Sequence, residues 1–370
     1  MPNQNSQKLF AYVGTYTKTE PHVAGKAEGI YVYQVDLNTG ALTYVSVARG
    51  MVNPSFLTVE PQKRYLYAVS ETNEVDGQPG GAVYAYAIDP QTGNLTYLNH
   101  QSSQGVWPCS VSVDATAKWV LVANYTSGSI AAYPILEDGR VGPASDWVQH
   151  HGSSVNPRRQ EGPHAHMITL DPSNHYVIVP DLGMDKVMIY AFDLANGKFK
   201  PNTQPSVSVP PGYGPRHFDF HPNRKFAYLI NEIGNHVTAY AYDETSGTLT
   251  ELQTVPTLPA DFTGTSHTAD IHVHPSGKFV YGSNRGHNSI AIFSVDQSTG
   301  KLTPIGHEST QGRTPRNFAI SADGTMLFAE NQDTDTIVAF RIDQNTGKLT
   351  PTGQVNQVPT PVCMKIVELG

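Results

Sequence analysis

The sequence predicts an all-β fold, a seven-bladed β-propeller with four antiparallel strands in each blade. Two short sequence motifs, the first and the second phrase, each recur seven times at the same spacing, and the two ends of the chain complement each other. Four short strands in a repeat of this length are typical of a propeller blade. We therefore expect residues 1–370 to form a single propeller domain.

The first phrase is a turn with a small polar pair, a glycine, any residue, and then Leu, Val or Phe. The seven glycines are Gly40, Gly93, Gly139, Gly197, Gly247, Gly300 and Gly347. The six steps between the first and the last average about 51 residues. Glycine at a position that needs a positive φ is typical of hairpin turns. The phrase therefore predicts the hairpin between the third and fourth strands of each blade.

The second phrase marks the first strand of each blade. An anchor residue, usually proline, begins an apolar strand that ends at a turn about seven residues later. The anchors are Pro54, Pro108, Ala165, Pro215, Thr268, Pro315 and Pro361. Val, Ile, Tyr, Phe and Thr dominate the strands, as β-structure favours, and no segment keeps a helical period.

The chain ends predict how the ring closes. Residues 9–45 begin a blade at its second strand, and residues 361–369 match the missing first strand. Pairing the two removes exposed strand edges. We therefore expect loss of the C-terminal strand to be severely destabilising.

Composition and charge exclude several classes of protein. The chain has 24 Lys and Arg against 32 Asp and Glu, so the net charge of −8 disfavours nucleic-acid binding. No apolar run reaches the roughly 20 residues of a membrane helix, and the N-terminus has no secretory pattern. Only Cys109 and Cys363 are present, so there is no disulfide framework. We expect a cytoplasmic protein without membrane or nucleic-acid partners, and a monomer, because a closed ring has little edge to share.

The repeat register gathers polar residues at one mouth of the central channel. Positions one, sixteen and seventeen residues after each anchor lie at the same end of the first hairpin. The candidates at these positions are Glu71, His166, Asp181, Arg216, Asn231, Glu232, Asn284, Arg285, Arg316 and Asn331. Charged residues form only 15% of the chain, so this cluster is dense. For the asparagines the structural alternative is strong, because Asn at a strand end often caps a turn.

The charged members of the cluster indicate an anionic ligand and proton transfer. Three arginines exceed the need of a structural ion pair, and guanidinium groups bind carboxylate or phosphate in a bidentate way. His166 and Glu232 are candidates for acid–base chemistry, and a neighbouring arginine would keep Glu232 ionised. No nucleophile motif is present, and Cys109 is interpreted as an inert strand residue.

Two further features leave alternatives open. His164 and His166, and likewise His272 and His274, are two residues apart on strands, but no third ligand has a matching spacing, so we expect no metal or cofactor. The insert 143–162, which contains Arg158 and Arg159, is either a solvated loop or a lid over the channel mouth.

Several segments resemble a known family when taken together. They are Arg159–His166, Gly214–His217, Asn231–Glu232, Ala269–His272, Asn284–Arg285 and Thr314–Phe318. Over essentially the whole chain the sequence resembles the seven-bladed β-propeller lactonases of the bacterial 6-phosphogluconolactonase type. It is more distantly similar to the fungal carboxymuconate lactonizing enzymes.

The resemblance implies metal-independent hydrolysis of 6-phosphoglucono-1,5-lactone to 6-phosphogluconate, in the pentose phosphate pathway. It implies catalysis by Glu232, His166 and Arg216, with Glu232 or His166 as the base. The expected substrate-binding residues are Arg285, Arg316, His164, Asn231, Asn284, Asn331, Asp181 and Glu71. The alternatives are a lactonase or lactonizing cyclase for another carboxylated substrate, and a propeller that only binds a partner.

Overall fold

The computed structural model describes residues 8–370, so residues 1–7 of the N-terminus, on which the expected lack of a secretory signal depends, lie outside it. The first strands are β1 (Lys8–Thr15), β2 (Thr19–Glu20), β3 (Val23–Ala24), β4 (Gly29–Asp36), β5 (Ala41–Arg49), β6 (Pro54–Val59), β7 (Tyr65–Ser70), β8 (Glu74–Val75), β9 (Gln78–Pro79), β10 (Ala82–Ile88), β11 (Leu95–Ser102), β12 (Pro108–Val113), β13 (Trp119–Asn124), β14 (Ser129–Pro134) and β15 (Asp146–Gln149). They continue as β16 (Thr169–Leu170), β17 (Tyr176–Asp181), β18 (Lys186–Asp193), β19 (Lys198–Ser208), β20 (Pro215–Phe220), β21 (Phe226–Asn231), β22 (His236–Asp243), β23 (Thr248–Pro256), β24 (His267–Val273), β25 (Phe279–Arg285), β26 (Ser289–Val295), β27 (Leu302–Ser309), β28 (Pro315–Ile320), β29 (Met326–Asn331), β30 (Thr336–Ile342), β31 (Leu349–Gln357) and β32 (Pro361–Leu369). A 3-10 turn spans Gln332–Thr334.

Seven four-stranded antiparallel sheets form the blades within residues 8–370, which confirms the predicted architecture. From the channel outward, blade 1 is β32-β1-β4-β5, and blade 2 is β6-β7-β10-β11. Blades 3 to 7 each take four consecutive strands, from β12–β15 through β28–β31. Two short hairpins, β2-β3 and β8-β9, stand outside the blades. No helix in this part of the chain is long and apolar enough to cross a membrane.

The ring closes as the sequence predicts. β32 pairs antiparallel with β1, from Lys8 opposite Leu369 to Gly14 opposite Cys363. Much of β32 is buried between neighbouring blades; its buried apolar side chains are Val362, Cys363, Met364, Val367 and Leu369. The last strand is therefore part of the apolar core as well as the inner edge of blade 1.

The glycine turns fasten each blade to the one before it. All seven predicted glycines have positive φ, between 61° and 83°. At Gly300 of blade 6, an added Cβ would lie 2.4 Å from the ring of Phe226 in blade 5. The hydroxyl of Tyr228, also in blade 5, donates a hydrogen bond to the Gly300 carbonyl (3.0 Å). A side chain here would separate the two blades, so glycine is needed for close approach as well as for its φ.

The inner strands begin at the anchors in most blades, and blade 4 departs from the pattern. Its inner strand β16 has two residues, and Ala165 makes only an isolated bridge with Asp181. The backbone still follows β17, because the His166 amide donates to the Pro180 carbonyl and the Leu182 amide to the His164 carbonyl. The segment that carries His166 is therefore held beside β17 without a continuous ladder.

Candidate active site

One channel mouth holds a pocket with a volume of about 380 Å³. Its lining residues are His22, Glu71, Trp107, Cys109, Tyr125, Arg159, His166, Glu232, His267, Arg285 and Arg316. They come from every blade-repeat region between residues 22 and 316, so distant parts of the chain converge here. A concave site built in this way is the usual form of a ligand pocket.

A repeated β-bulge aims inner-strand residues at this mouth. In blade 5 the ladder pairs Pro215 with Asn231 and then His217 with Ile230, so Arg216 has no partner. The same shift in blades 2, 3 and 7 leaves one unpaired residue after each anchor; these residues are Ser55, Cys109 and Arg316. A bulge redirects the side chain it carries. The bulges therefore turn the residue after each of these anchors towards the channel.

Three arginines surround the carboxylate of Glu232, which is 3% exposed. Its Oε1 accepts a hydrogen bond from Arg159 Nη2 (2.5 Å). Its Oε2 lies 2.9 Å from Arg216 Nε and 2.9 Å from Arg285 Nη2. Burial alone would raise the pKa of this carboxyl, but the three guanidinium groups hold it well below its usual range. Glu232 is therefore an ionised counter-ion whose oxygens are already engaged.

Arg316 differs from the other arginines because its donors are not committed. Its guanidinium lies over the ring of Tyr16 (5.5 Å to the centroid), and the carboxylate nearest to it, Glu71 Oε1, is 3.9 Å away. Within residues 8–370 it donates no hydrogen bond at normal distance, although the pocket reaches it. An arginine so placed can offer its planar fork to an incoming anion.

The pocket is electropositive. The guanidinium groups of Arg159, Arg216, Arg285 and Arg316 face two carboxylates, those of Glu71 and Glu232. Burial, followed by the neighbouring Arg285, lowers the pKa of Arg216 to about 9, so this group stays charged at neutral pH. With neutral histidines the cluster carries an excess of two positive charges, which an anionic ligand would balance.

His166 is the candidate proton acceptor. Its Nε2 lies 4.0 Å from Glu232 Oε2, and its Nδ1 lies 3.9 Å from Cys109 Sγ. Burial, and then the charge of Arg216, lowers the pKa of His166 well below its usual range, so the ring is neutral at pH 7. Burial also raises the pKa of the Cys109 thiol, so Cys109 is not a thiolate nucleophile.

The sequence matches one known protein family over nearly its whole length. A family model described as "Lactonase, 7-bladed beta-propeller" matches residues 10–366. The chain belongs to this lactonase family. It is 41% identical over 313 residues to the 6-phosphogluconolactonase of Bacillus subtilis, which covers 85% of each chain. The sequence resemblance is thereby confirmed.

Solved structures of similar lactonases share the whole propeller. A putative 6-phosphogluconolactonase from Bacteroides fragilis superposes with a TM-score of 0.90 and 36% identity, covering 99% of this chain and all of its own. A periplasmic gluconolactonase from Pseudomonas aeruginosa also gives a TM-score of 0.90, with 32% identity over 98% of this chain and 99% of its own. Relatives with phosphorylated and with unphosphorylated substrates in their names therefore have the same fold.

The structure brings only part of the predicted set to the lactonase pocket. Glu71, His166, Glu232, Arg285 and Arg316 line it. Arg216 lies directly below, with its Nη1 on the Ala269 carbonyl (2.5 Å) and its Nε on Glu232. This set remains a prediction as far as function is concerned.

The three predicted asparagines are turned away from the pocket. Asn231 Nδ2 donates to Thr238 Oγ1, Asn284 Nδ2 to the Thr257 carbonyl, and Asn331 Nδ2 to the Thr310 carbonyl. All three asparagines are fully buried. The structural alternative accounts for their amide groups, because each Nδ2 donates within its own blade or to the segment that follows the preceding blade, while the three Oδ1 atoms have no partner among the described residues.

Asp181 and His164 lie behind Tyr125, a residue that lines the pocket. Asp181 Oδ2 accepts a hydrogen bond from His150 Nδ1 (2.7 Å), and its Oδ1 accepts the His164 amide (2.8 Å). The His164 ring stacks on Tyr125 (4.5 Å between centroids). Neither side chain lines the pocket; the His164 ring packs on Tyr125, which does, and Asp181 holds the His164 backbone.

Several lining residues have no signal in the charge pattern. Arg159 comes from the insert 143–162, which supports the lid alternative for that segment. His22 lies between β2 and β3, outside the repeat, and its ring packs on Trp107 (5.3 Å). Tyr125 stands seventeen residues after the anchor Pro108, the same register position as Glu232 and Arg285, but as an uncharged residue it is not part of the predicted charged cluster. Within residues 8–370 no group of three or more His, Cys, Asp or Glu side chains could hold a metal ion.

Proposed function

We propose that this protein hydrolyses 6-phosphoglucono-1,5-lactone to 6-phosphogluconate. The observation that supports this choice is the excess of two positive charges in a pocket of about 380 Å³. A phosphate monoester carries about −1.5 to −2 charges at pH 7, which matches that excess. The substrate named for the Bacillus subtilis relative agrees with it.

Arg316 is the proposed phosphate-binding residue. Its N–H donors are free, and the Tyr16 ring packs against its guanidinium group and holds it in place. Arg285 contributes as well, since its buried Nε has no partner within residues 8–370. Arg216 would stabilise the negative charge that develops on the carbonyl oxygen. Glu232 keeps Arg216 and Arg285 together and is not the base.

The proposed base is His166, whose neutral ring can accept a proton. Water attacks the lactone carbonyl carbon, its oxygen forms the new bond, and the carbonyl π pair moves onto oxygen while His166 takes a water proton. The intermediate then collapses, the ring C–O bond breaks, and His166 returns the proton to the ring oxygen, which leaves as a hydroxyl. No covalent enzyme intermediate is needed.

The second candidate is an unphosphorylated lactone, favoured by the name of the Pseudomonas aeruginosa relative. The two candidates also differ in the expected cellular compartment, because we expect a phosphorylated substrate to be hydrolysed in the cytoplasm. Phosphorylated and unphosphorylated gluconolactone should be compared at neutral pH, with and without a chelator, after subtraction of spontaneous hydrolysis.

Arg316→Met is the decisive variant in that comparison. Hydrogen bonds to charged groups contribute about 1.5–3 kcal/mol, so we expect KM for the phosphorylated lactone to rise about 10- to 100-fold. Hydrolysis of the unphosphorylated lactone should be unchanged. Arg158→Met, in the insert beside Arg159, is the matched control and should change neither. Faster wild-type turnover of the unphosphorylated lactone, or an unchanged KM in Arg316→Met, would refute the proposed substrate.

A further inference from the structure

A small void lies beneath the pocket, inside the channel. It has a volume of about 10 Å³, enough for a single water molecule. Its walls are Ser55, Phe56, Glu71, Cys109, His166, Arg216, His217, Arg316, Asn317 and Val362. Four of these, Glu71, Cys109, His166 and Arg316, also line the pocket above. The void is therefore separated from the pocket only by side chains of the candidate active site.

Two buried polar atoms in the wall of this void have no partner among the described residues. They are Ser55 Oγ and His217 Nε2, on residues that are 4% and 3% exposed. Buried polar atoms in proteins are nearly always hydrogen-bonded, either to protein or to an ordered water. A water in the void would satisfy both atoms, and the site is polar enough to hold one.

Asp270 fixes which nitrogen of His217 carries the proton. His217 Nδ1 lies 2.6 Å from Asp270 Oδ1, while Asp270 Oδ2 accepts a hydrogen bond from His272 Nε2 (2.9 Å) and another from the Asn317 amide. Burial would raise the pKa of Asp270, but His272 and His217 hold it well below its usual range. The ionised carboxylate can only accept hydrogen bonds, so His217 Nδ1 carries the proton and donates it in a hydrogen bond to Asp270. The Nε2 lone pair is left as a proton acceptor.

His166 stands between the pocket and the void. Its Nε2 is on the side of Glu232, which lines only the pocket, and its Nδ1 is on the side of Cys109, which lines both. The His166 and His217 rings are in edge-to-face contact, with 5.3 Å between their centroids. One nitrogen of the His166 ring thus lies on the pocket side, and the other lies near Cys109, which borders the void together with His217.

A positive charge on His166 would be poorly placed. Arg216 and Arg316 are its neighbours, and Glu232 is already neutralised by three guanidinium groups. His217 is also buried beside Arg216, and burial followed by that charge lowers its pKa to about 4, but its Nδ1 is in hydrogen-bond contact with Asp270, a carboxylate that it shares with His272. A proton on His217 would have a carboxylate within hydrogen-bond distance, whereas the carboxylate nearest to His166 Nε2 is Glu232 at 4.0 Å, which is already paired with three guanidinium groups.

We propose that a water in this void connects His166 to His217, and that the His217–Asp270 pair accepts the proton released during lactone hydrolysis. His166 Nε2 takes a proton from the attacking water, and His166 Nδ1 releases its own proton to the void water. That water passes one of its protons to His217 Nε2. The sequence reverses when His166 protonates the leaving ring oxygen, so protons balance over the two steps.

In this scheme His217 and Asp270 are positioning residues, because neither touches the substrate. The inference rests on the proposed hydrolysis with His166 as the base. The titratable and charged groups around the two rings are Glu71, Cys109, Tyr125, Arg216, Glu232, Asp270, His272 and Arg316, with Glu330 and Lys365 also facing Asp270. All of them are left intact by the variants below except Asp270.

The test is single-turnover hydrolysis of the phosphorylated lactone by His217→Gln and Asp270→Asn. We expect the rate constant to fall about 100-fold, the lower end of the range for proton-transfer groups, with the concentration for half-maximal rate unchanged because the anion-binding arginines remain. The matched control is His221→Gln, a buried histidine on the same strand region whose Nε2 contacts the Gly277 carbonyl of the next blade. The control should lose stability without losing rate.

A second variant and a second measurement keep the test decisive if His217→Gln does not fold. Ser55→Ala removes one partner of the void water and should lower the rate several-fold. In mixtures of H₂O and D₂O, the wild-type rate should depend on deuterium content along a curve, because more than one proton moves, and the dependence should become linear in Ser55→Ala. A linear wild-type dependence, or full rate in both His217→Gln and Ser55→Ala, would overturn the inference.

Failure of the proposed function gives a different result. In that case the wild type does not hydrolyse the phosphorylated lactone above the spontaneous rate. If instead the wild type is active and His166→Gln is not, while both His217→Gln and Ser55→Ala keep full rate, only the proton path is wrong.

Discussion

Replacing Glu232 with glutamine tests whether this carboxylate is a counter-ion or a base. The substitution keeps the size of the side chain and removes the charge that Arg159, Arg216 and Arg285 share. The site is buried, so water cannot screen the repulsion between the three guanidinium groups that remain. We expect Glu232→Gln to lose stability as well as activity, because three guanidinium groups would then face one another without compensation.

The expected loss follows from the geometry. Removing one partner of a buried ion pair costs about 3–5 kcal/mol, and here one carboxylate serves three arginines at 2.5–2.9 Å. The entropy of unfolding is about 2.1 cal/mol/K per residue, or about 0.8 kcal/mol/K for a chain of this length. The melting temperature should therefore fall by about 4–6 °C.

The loss should also depend on pH in one direction. The pKa of Glu232 is lower in the folded protein than in the unfolded chain, so its charge stabilises the fold above the unfolded value, near 4.5, and this contribution is lost as pH falls towards the folded value. The difference between wild type and Glu232→Gln should be full at pH 7 and shrink below about pH 4.5.

Thermal and urea unfolding of both proteins between pH 3.5 and pH 7 measure this difference. Glu71→Gln is the control, because its carboxylate meets a single arginine at 3.9 Å and should matter less. Wild-type stability of Glu232→Gln at pH 7, together with loss of turnover, would refute the counter-ion role and restore Glu232 as the base.

Two further predictions concern the ring. A chain ending at Thr360 should not fold cooperatively by circular dichroism, because β32 buries five apolar side chains worth about 1.5–3 kcal/mol each, comparable to a typical total stability of about 5–15 kcal/mol; a normal melt would contradict the closure argument. Tyr228→Phe should lower the free energy of unfolding by about 1–3 kcal/mol in urea, because the Gly300 carbonyl loses its donor from the preceding blade. Tyr44→Phe, at an exposed site, should have no such effect, and equal losses in both would argue against the contact.

The sequence by itself determined the fold and the place of the candidate site in it. Each blade is built from near-neighbours in the chain, so the repeated turns and anchors are visible as a period. Positive φ at residues such as Gly300, and the pairing of β32 with β1, follow from that period and from the need to bury strand edges. The charged positions at the channel mouth follow from the same register.

Only the tertiary structure decided what each side chain does there. The β-bulge turns Arg216 towards the channel, whereas Asn231 at the end of the neighbouring strand stays inside its blade, although both are predicted on one ring. Arg159 enters from an insert that has no repeat register. The role of Glu232 depends on charges that reach it from three separate segments, and His217 meets Asp270 across 53 residues. A repeat fixes where the backbone runs, but electrostatics in a buried site depends on distances between atoms that the period does not contain.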